Sequence, residues 1–289
     1  MKKLTLVLCL TLALVACKDN KDTKTTDNQV ATEQPKSTER IVSLNGTITE
    51  ILVDLGQQKN IVGVDVTSTF PTDISNTATQ LEHVSKINIE ALLGLQPTIV
   101  YVAKKDLNEN LQKQLETANI KLVIVEQEYS VKGTKQLVKD IATSLQLDNA
   151  TEVITKIDNE TKDIKPLTSK PKVLFIYARG ASTLLVAGEG TPMEKMIQLA
   201  GGENAITGFS DFKPLTPEAL LNSNPDYILM FDTGLQSMGG IDGVLKIEGI
   251  EKTNAGKNKK VIAMDGLLLT GFTPRIGTAI TSLNHLLSE

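Results

Sequence analysis

The chain of 289 residues contains no tryptophan, and aromatic residues make up only 3% of it, a composition that argues against a sugar-stacking site. It has two histidines and two cysteines, Cys9 and Cys17, so the body from Arg40 onward can hold neither disulfides nor thiolate metal sites. That body must rest on packing. The formal net charge is −4 and no basic run is interleaved with aromatics, which excludes a nucleic-acid surface. Gly-x-Ser-x-Gly, His-Glu-x-x-His and Gly-x-x-x-x-Gly-Lys-Ser/Thr are all absent. The Asp and Glu residues show no catalytic spacing either, so no enzyme is expected. The apolar stretch 4–14 is too short to cross a bilayer.

What is present begins with a secretory layout. Lys2 and Lys3 precede that apolar stretch, and Leu14-Val-Ala-Cys17 closes it. These four residues resemble a bacterial lipobox, which implies cleavage after residue 16 and a diacylglycerol thioether on Cys17, usually with a third acyl chain on its amine. Several acyl chains hold a protein durably on a membrane, where one would not. Residues 18–39 are nearly all polar or charged, with Val30 and Ala31 the only apolar ones, and cannot bury enough surface to offset chain ordering. They read as a tether from residue 17 to 39, spanning roughly 25 Å as a coil.

The body repeats itself. Glu90-Ala-Leu-Leu-Gly-Leu-Gln-Pro97-Thr-Ile-Val returns as Glu218-Ala-Leu-Leu-Asn-Ser-Asn-Pro225-Asp-Tyr-Ile at domain-sized spacing. A looser echo relates Thr49-Glu-Ile-Leu-Val-Asp-Leu-Gly56, ending at Ile61-Val-Gly63, to Met193-Glu-Lys-Met-Ile-Gln-Leu-Ala-Gly201, ending at Gly208. Chance likeness between two βα units is the plain alternative, but both echoes keep the same order. Two similar lobes imply a cleft between them.

Residues 40–130 read as βα units, with strands at 41–44, 61–65, 99–103 and 121–125 and helices at 47–55, 89–95 and 107–118. Residues 131–171 form the connection between lobes. Leu137, Ile141 and Leu145 share one helical face, and Asp148 stands where a second helix would be N-capped. A lone helical connector predicts a cleft that opens and closes little. The second lobe, 172–289, has strands at 173–177, 184–187, 227–231 and 260–264, helices at 192–200, 217–221 and 275–287, and a glycine-rich loop at 234–243. Loops after the carboxyl ends of strands are where open α/β sheets bind ligands.

With Arg40-Ile-Val-Ser-Leu, Ile61-Val-Gly-Val-Asp and the doubled Glu-Ala-Leu-Leu units in view, the chain resembles the class III periplasmic binding proteins of ABC importers, which carry haem, iron-siderophores or cobalamin. The resemblance implies an α/β fold of two Rossmann-like lobes with central parallel sheets, joined by one long helical connector. Within that family the second lobe looks most like the haem binders. The residues that carry this are Lys172-Val-Leu-Phe-Ile-Tyr-Ala-Arg-Gly180, Val186-Ala-Gly188 with Gly190-Thr191, Leu199-Ala-Gly-Gly-Glu-Asn204, Lys213-Pro-Leu-Thr-Pro-Glu218, Gly239-Gly-Ile-Asp-Gly243, Thr253-Asn-Ala-Gly-Lys-Asn258 and Leu267-Leu-Leu-Thr-Gly-Phe-Thr-Pro-Arg275.

In relatives an iron ligand, often Tyr, lies shortly before the first Glu-Ala-Leu-Leu helix, so the resemblance implies His83 as the ligand here, against a plain solvated loop histidine. Tyr177 is expected to cap the iron or hydrogen-bond, or else to pack at a strand end. Arg179 is expected to pair with a propionate, and Arg275 either to do the same or to cap the last helix. Relatives tend to carry Gly-Phe-Gly-Pro-Arg, so Thr273 leaves the geometry of that loop open. Thr67, Ser68 and Thr69 form a polar loop that contacts the ligand or merely turns. Met193 and Met238 either line a porphyrin face or fill core. Two His and a cysteine-free body disfavour the zinc and manganese carriers of a neighbouring family.

The resemblance gives Glu90 and Glu218 another task, one acid per lobe docking on the arginines of a twofold permease dimer with its ATPase, though each also complements a helix dipole. The expected protein is monomeric and held to the membrane by its lipid anchor. Its expected cargo is haem. A ferric siderophore or cobalamin is the alternative, and a stand-alone haem-scavenging surface lipoprotein a further one.

Overall fold

A computed structural model describes residues 39–289, so the signal segment, the lipobox with Cys17 and all of the tether but Glu39 lie outside the described residues. Glu39 is already bound to the body: its carboxylate accepts a 2.6 Å hydrogen bond from the Thr98 hydroxyl. The body therefore begins one residue earlier than expected from composition. Arg40 next to it donates from Nη2 to the Leu95 carbonyl at 2.6 Å, which ties the chain start to the end of the first repeated helix.

The strands of the first lobe are β1 (Ile41–Ser43), β2 (Ile61–Val64), β3 (Thr79–Gln80), β4 (Ile99–Ala103) and β5 (Lys121–Val125). They form one parallel sheet in the order β3-β2-β1-β4-β5. Every residue of β1 and β4 is buried, the expected reading of β-branched runs covered on both faces. The intervening helices start on short polar caps. Asn45 opens Gly46–Asp54, Asn88 opens Ile89–Gly94 and Asn108 opens Glu109–Thr117, each side chain accepting from orphan N–H groups of the first turn. The short helix Ile74–Thr77 and edge strand β3 carry no hydrophobic period long enough to reveal them in sequence.

In the second lobe the strands are β6 (Lys172–Ala178), β7 (Leu184–Ala187), β8 (Glu203–Asn204), β9 (Phe212–Pro214), β10 (Tyr227–Phe231) and β11 (Val261–Met264). Around β6 the order is β11-β10-β6-β7-β9, with β8 paired to the start of β6. Strands β6, β8, β10 and β11 are parallel, as expected. Strand β7 alone runs antiparallel to its neighbours β6 and β9, because the tight turn after β6 folds the chain straight back, leaving no room for a crossover helix. The duplication is visible in the topology: β1 is flanked by β4 and then β5, and β6 by β10 and then β11. The repeated Glu-Ala-Leu-Leu helices, Ile89–Gly94 and Pro217–Ser223, precede β4 and β10 respectively.

Two details differ from expectation, the stretch 234–243 and the cap of the second connecting helix. The stretch 234–243, read as a loop from its glycines, contains parts of two helices, Asp232–Ser237 and Ile241–Val244; the left-handed Gly239 (φ 80°) and Gly240 (φ 79°) make only the turn between them. The connection between lobes is two helices, Val131–Ser144 and Ala150–Thr161, broken where Gln146 takes φ 56°. The cap of the second is Asn149 rather than Asp148, and its amide donates to the Leu55 carbonyl at 3.3 Å instead of capping.

These two helices are not a free strut. Leu137, Ile141, Val153 and Ile157 are buried in one continuous cluster with Ile51 and Leu52 of the first lobe and Ile276, Ile280 and Leu283 of the second. Gly277 of the closing helix Ile276–Leu286 sits where a Cβ would overlap Glu160, so that helix lies hard against Ala150–Thr161. The core runs through the junction of the lobes.

Candidate functional site

The carboxyl ends of the strands of both lobes face one cleft. From the first lobe come Asn45 to Thr47 after β1, Thr67 and Thr69 after β2, His83 after β3, Lys105 and Asp106 after β4, and Gln127 and Tyr129 after β5. The second lobe supplies Tyr177 from β6, Phe231 and Thr233 at the end of β10, and Asp265 to Leu267 with Thr270 and Gly271 after β11. Between them lie two adjoining recesses of about 420 and 580 Å³, both within the range of small-molecule sites. Lys105, Phe231 and Thr270 line both and form their common wall.

The first recess is built on a hydroxyl network. Asp65, just past β2 and 1% exposed, accepts through Oδ1 from the Thr67 hydroxyl at 2.7 Å, the Thr67 N–H at 3.2 Å and the Ser68 hydroxyl at 3.3 Å. Burial pushes its carboxyl above the usual range, opposed by the hydrogen bonds from Thr67 and Ser68. Gly46 donates its N–H to Thr67 Oγ1 at 2.9 Å, and a Cβ at Gly46 would overlap the Thr67 carbonyl oxygen. Close backbone approach thus holds the loop against the helix N-terminus. Thr67 and Thr69 face the recess, whereas Ser68 turns inward to Thr49 Oγ1 at 2.7 Å and is 3% exposed. Ser68 is therefore a support of the loop and not one of the residues that line the cleft.

His83 lines the first recess and is exposed. Its Nδ1 accepts from the Ser85 N–H at 3.2 Å and lies 2.9 Å from Ser85 Oγ, capping the turn Val84–Lys86. The bonding of Nδ1 leaves Nε2 pointing away from the backbone. Tyr177 lines the second recess, with Met193, and stands edge-on to Phe231 at 6.1 Å and 86°. Arg179 lies over the Tyr177 ring at 5.7 Å, exposed beside the cleft rather than among its lining residues. Met193 is also 3% exposed and part of the main core; Met238 packs on the second-lobe core and lines neither recess.

Arg275 is engaged elsewhere, which corrects its expected propionate role. Its Nε and Nη2 donate to Oε1 and Oε2 of Glu50, both at 2.8 Å, and its guanidinium lies 3.7 Å over the Phe70 ring. Glu50 is 1% exposed, so a planar fork closes on a buried carboxylate of the other lobe. Nor does its side chain cap the final helix. The loop before it adopts its turn at Phe272, with φ 48°, and Thr273 accepts the Arg275 N–H at 3.2 Å, so the departure from glycine is accommodated as a hydroxyl turn.

Glu90 and Glu218 stand exposed in the first turns of their helices, behind the caps Asn88 and Thr216, and neither enters an ion pair among the described residues. Both lie away from the recesses.

Sequence reasoning missed Lys105, Gln127, Tyr129, Phe231, Asp265 and Thr270. The signal was available, since each follows or ends a strand at its carboxyl end, the same rule that selected the other loops. Of four Tyr and six Phe in the chain, Tyr129, Tyr177, Phe212 and Phe231 gather at the second recess. Asp232, beside Phe231, has its carboxyl raised by burial and by repulsion from Asp265. The cleft thus offers an apolar aromatic wall, an imidazole on one side, a phenol on the other, and a lysine between.

A family model described as periplasmic binding protein matches residues 41–267. Among solved structures, the apo form of the periplasmic heme-binding protein RhuT from Roseiflexus sp. RS-1 is similar with a TM-score of 0.81 and 36% identity, covering 87% of this chain and 98% of that one. Among curated proteins, the uncharacterized ABC transporter substrate-binding lipoprotein YvrC of Bacillus subtilis is 25% identical over 258 residues, 86% of this chain and 79% of that protein. A cobalamin-binding protein of Halobacterium salinarum is 24% identical over 206 residues, 66% of this chain and 53% of its own length.

Proposed function

This chain belongs to the periplasmic-binding-protein family as an ABC-type substrate-binding protein, and from that premise we propose that it captures haem in the inter-lobe cleft and delivers it to a permease dimer. The observation that carries the haem reading is the placement of His83 and Tyr177, on opposite lobes, in adjoining recesses that share Phe231, with Tyr129 beside Tyr177 in the second. A flat apolar macrocycle with a central iron matches those features. The 36% identity to a heme-binding protein over nearly its whole length supports the same cargo.

For His83 to ligate iron through Nε2, its ring proton must move to Nδ1, where Ser85 Oγ at 2.9 Å accepts it. The Ser85 N–H then gives up its bond to that nitrogen. Because His83 and Tyr177 line adjoining recesses, ligation of one iron by both would require the macrocycle to lie between them with its iron within bonding reach of each. The cargo is held and released unchanged. The Leu14-Val-Ala-Cys17 sequence and the lipoprotein relative support an anchor through Cys17 outside the cytoplasm.

Haemin titration is the deciding measurement. A Soret band should grow to saturation, and His83→Ala and Tyr177→Phe should each weaken binding and shift the band. If neither variant alters the spectrum, this ligand pair is wrong; if haemin gives no spectral change with the wild-type protein, the cargo is not haem and the family assignment stands without it. Cobalamin is the second reading, favoured by the curated relative that binds it, and equilibrium dialysis against cyanocobalamin separates the two.

A further inference from the structure

Lys105 belongs to the turn Lys104–Asp106 at the carboxyl end of β4, and it is the one lysine or arginine lining either recess among the described residues. It sits in the wall the two recesses share. Its neighbour Lys104 is neutralised by Glu126 at 3.0 Å, whereas Lys105 enters no ion pair among the described residues. Instead its Nζ donates to the Tyr129 hydroxyl at 3.0 Å and stands 5.6 Å from the centre of that ring. A long side chain that would otherwise sample many rotamers is thereby held toward the cleft.

The acids of the cleft leave Lys105 as its favourable pole. Asp265 in the first recess and Glu189 in the second are carboxylates already committed to backbone N–H groups, of Leu268 at 2.8 Å and Gly208 at 3.0 Å. They repel an anionic group on a ligand from both floors. Asp106 in the first recess and Asp211 in the second add to that negative charge, so among the described residues that line the recesses Lys105 is the one cation available to an acid on the cargo.

We propose that Lys105 is the anion anchor of the cleft, taking a carboxylate of the bound macrocycle and fixing which edge of it meets the shared wall. This rests on the haem reading, and it selects for cargo with free acid groups over neutral macrocycles of the same shape. Tyr129 acts through Lys105 as a positioning residue.

The experiment uses two probes, haemin and metal-free protoporphyrin IX, which carries the same two carboxylates without iron. Absorbance and porphyrin fluorescence are followed for wild type, Lys105→Gln, Lys105→Arg and His83→Ala. Lys105→Gln should weaken both probes by about tenfold at low salt, the scale of one charge-assisted hydrogen bond, with the Soret position of bound haemin unchanged. Lys105→Arg should restore most of the loss, and haemin dimethyl ester should bind wild type and Lys105→Gln alike. His83→Ala should weaken haemin only. Equal affinity of wild type and Lys105→Gln for both probes overturns the anchor while leaving the haem reading intact. If haemin is not ligated but protoporphyrin binding still depends on Lys105, the haem reading fails and the anchor stands; binding of neither probe overturns both.

Discussion

A single buried acid shows how the residues of the cleft are held. Asp65 is almost wholly enclosed, and burial raises its pKa above the ordinary 3.8 even though Thr67 and Ser68 hydrogen-bond it. A group whose folded pKa is raised stabilises the fold below its unfolded pKa and loses that contribution as the pH rises through the folded one. At neutral pH the charged carboxylate therefore costs stability while it organises Thr67 for the cleft. Asp65→Asn keeps an acceptor in place, so denaturant unfolding should find it more stable than wild type at pH 7. The gain should shrink as the pH falls through the folded pKa and vanish below about 3.8. A difference that persists unchanged to pH 3 would show that the charge is not the cause. Residue types told less than placement here: Ser68 and Thr67 are adjacent and chemically alike, yet one points to Thr49 and the other to the cleft.

Among the elements, the paired helices Ile89–Gly94 and Pro217–Ser223 carry the two acids expected to dock on a permease. Each starts on a side-chain cap, presents its glutamate in the first turn and buries its third repeat residue, Leu92 or Leu220, at 0% exposure. The acids are thus displayed on rigid supports with no partner among the described residues to neutralise them. Replacing both Glu90 and Glu218 by Ala should leave haemin affinity unchanged and abolish uptake in cells. Each replacement should also shift the unfolding midpoint only slightly, since a first-turn acid is worth about 0.3–1 kcal/mol. Undiminished uptake by the double variant would remove these helices from the docking face. The helices were legible in sequence because caps, prolines and apolar spacing are local signals. The two helices in 232–244 were not, since their glycines suggested a loop and the packing under Gly234 and Val244 is contributed by distant strands.

For the whole molecule, the lobes are joined by more than the chain that connects them. Arg275 of the second lobe clasps Glu50 of the first, Thr47 donates to the Gly271 carbonyl at 2.7 Å, and Thr134 of the connecting helix donates to the Phe272 carbonyl at 2.9 Å, all above one continuous core. Removing one partner of a buried ion pair strands the other, so Glu50→Ala should cost about 3 kcal/mol in denaturant unfolding. The double variant Glu50→Leu with Arg275→Met should recover much of that. A single variant as stable as wild type would mean the clasp carries no weight. These contacts between the lobes are bonds that sequence did not disclose. What sequence alone determined was the duplicated α/β plan, the positions of its longer strands and helices, and Tyr177 at the end of a strand, because periodicity, caps and repeats are written in neighbouring residues, whereas His83 was singled out by the family resemblance and stands after a strand that only the structure shows. Only the tertiary structure decided that Arg275 meets Glu50, that Lys105 stands in the cleft wall, and that His83 and Tyr177 line separate recesses. These depend on which surfaces of two lobes face each other, and pairings across the fold leave no mark in the local order of the chain.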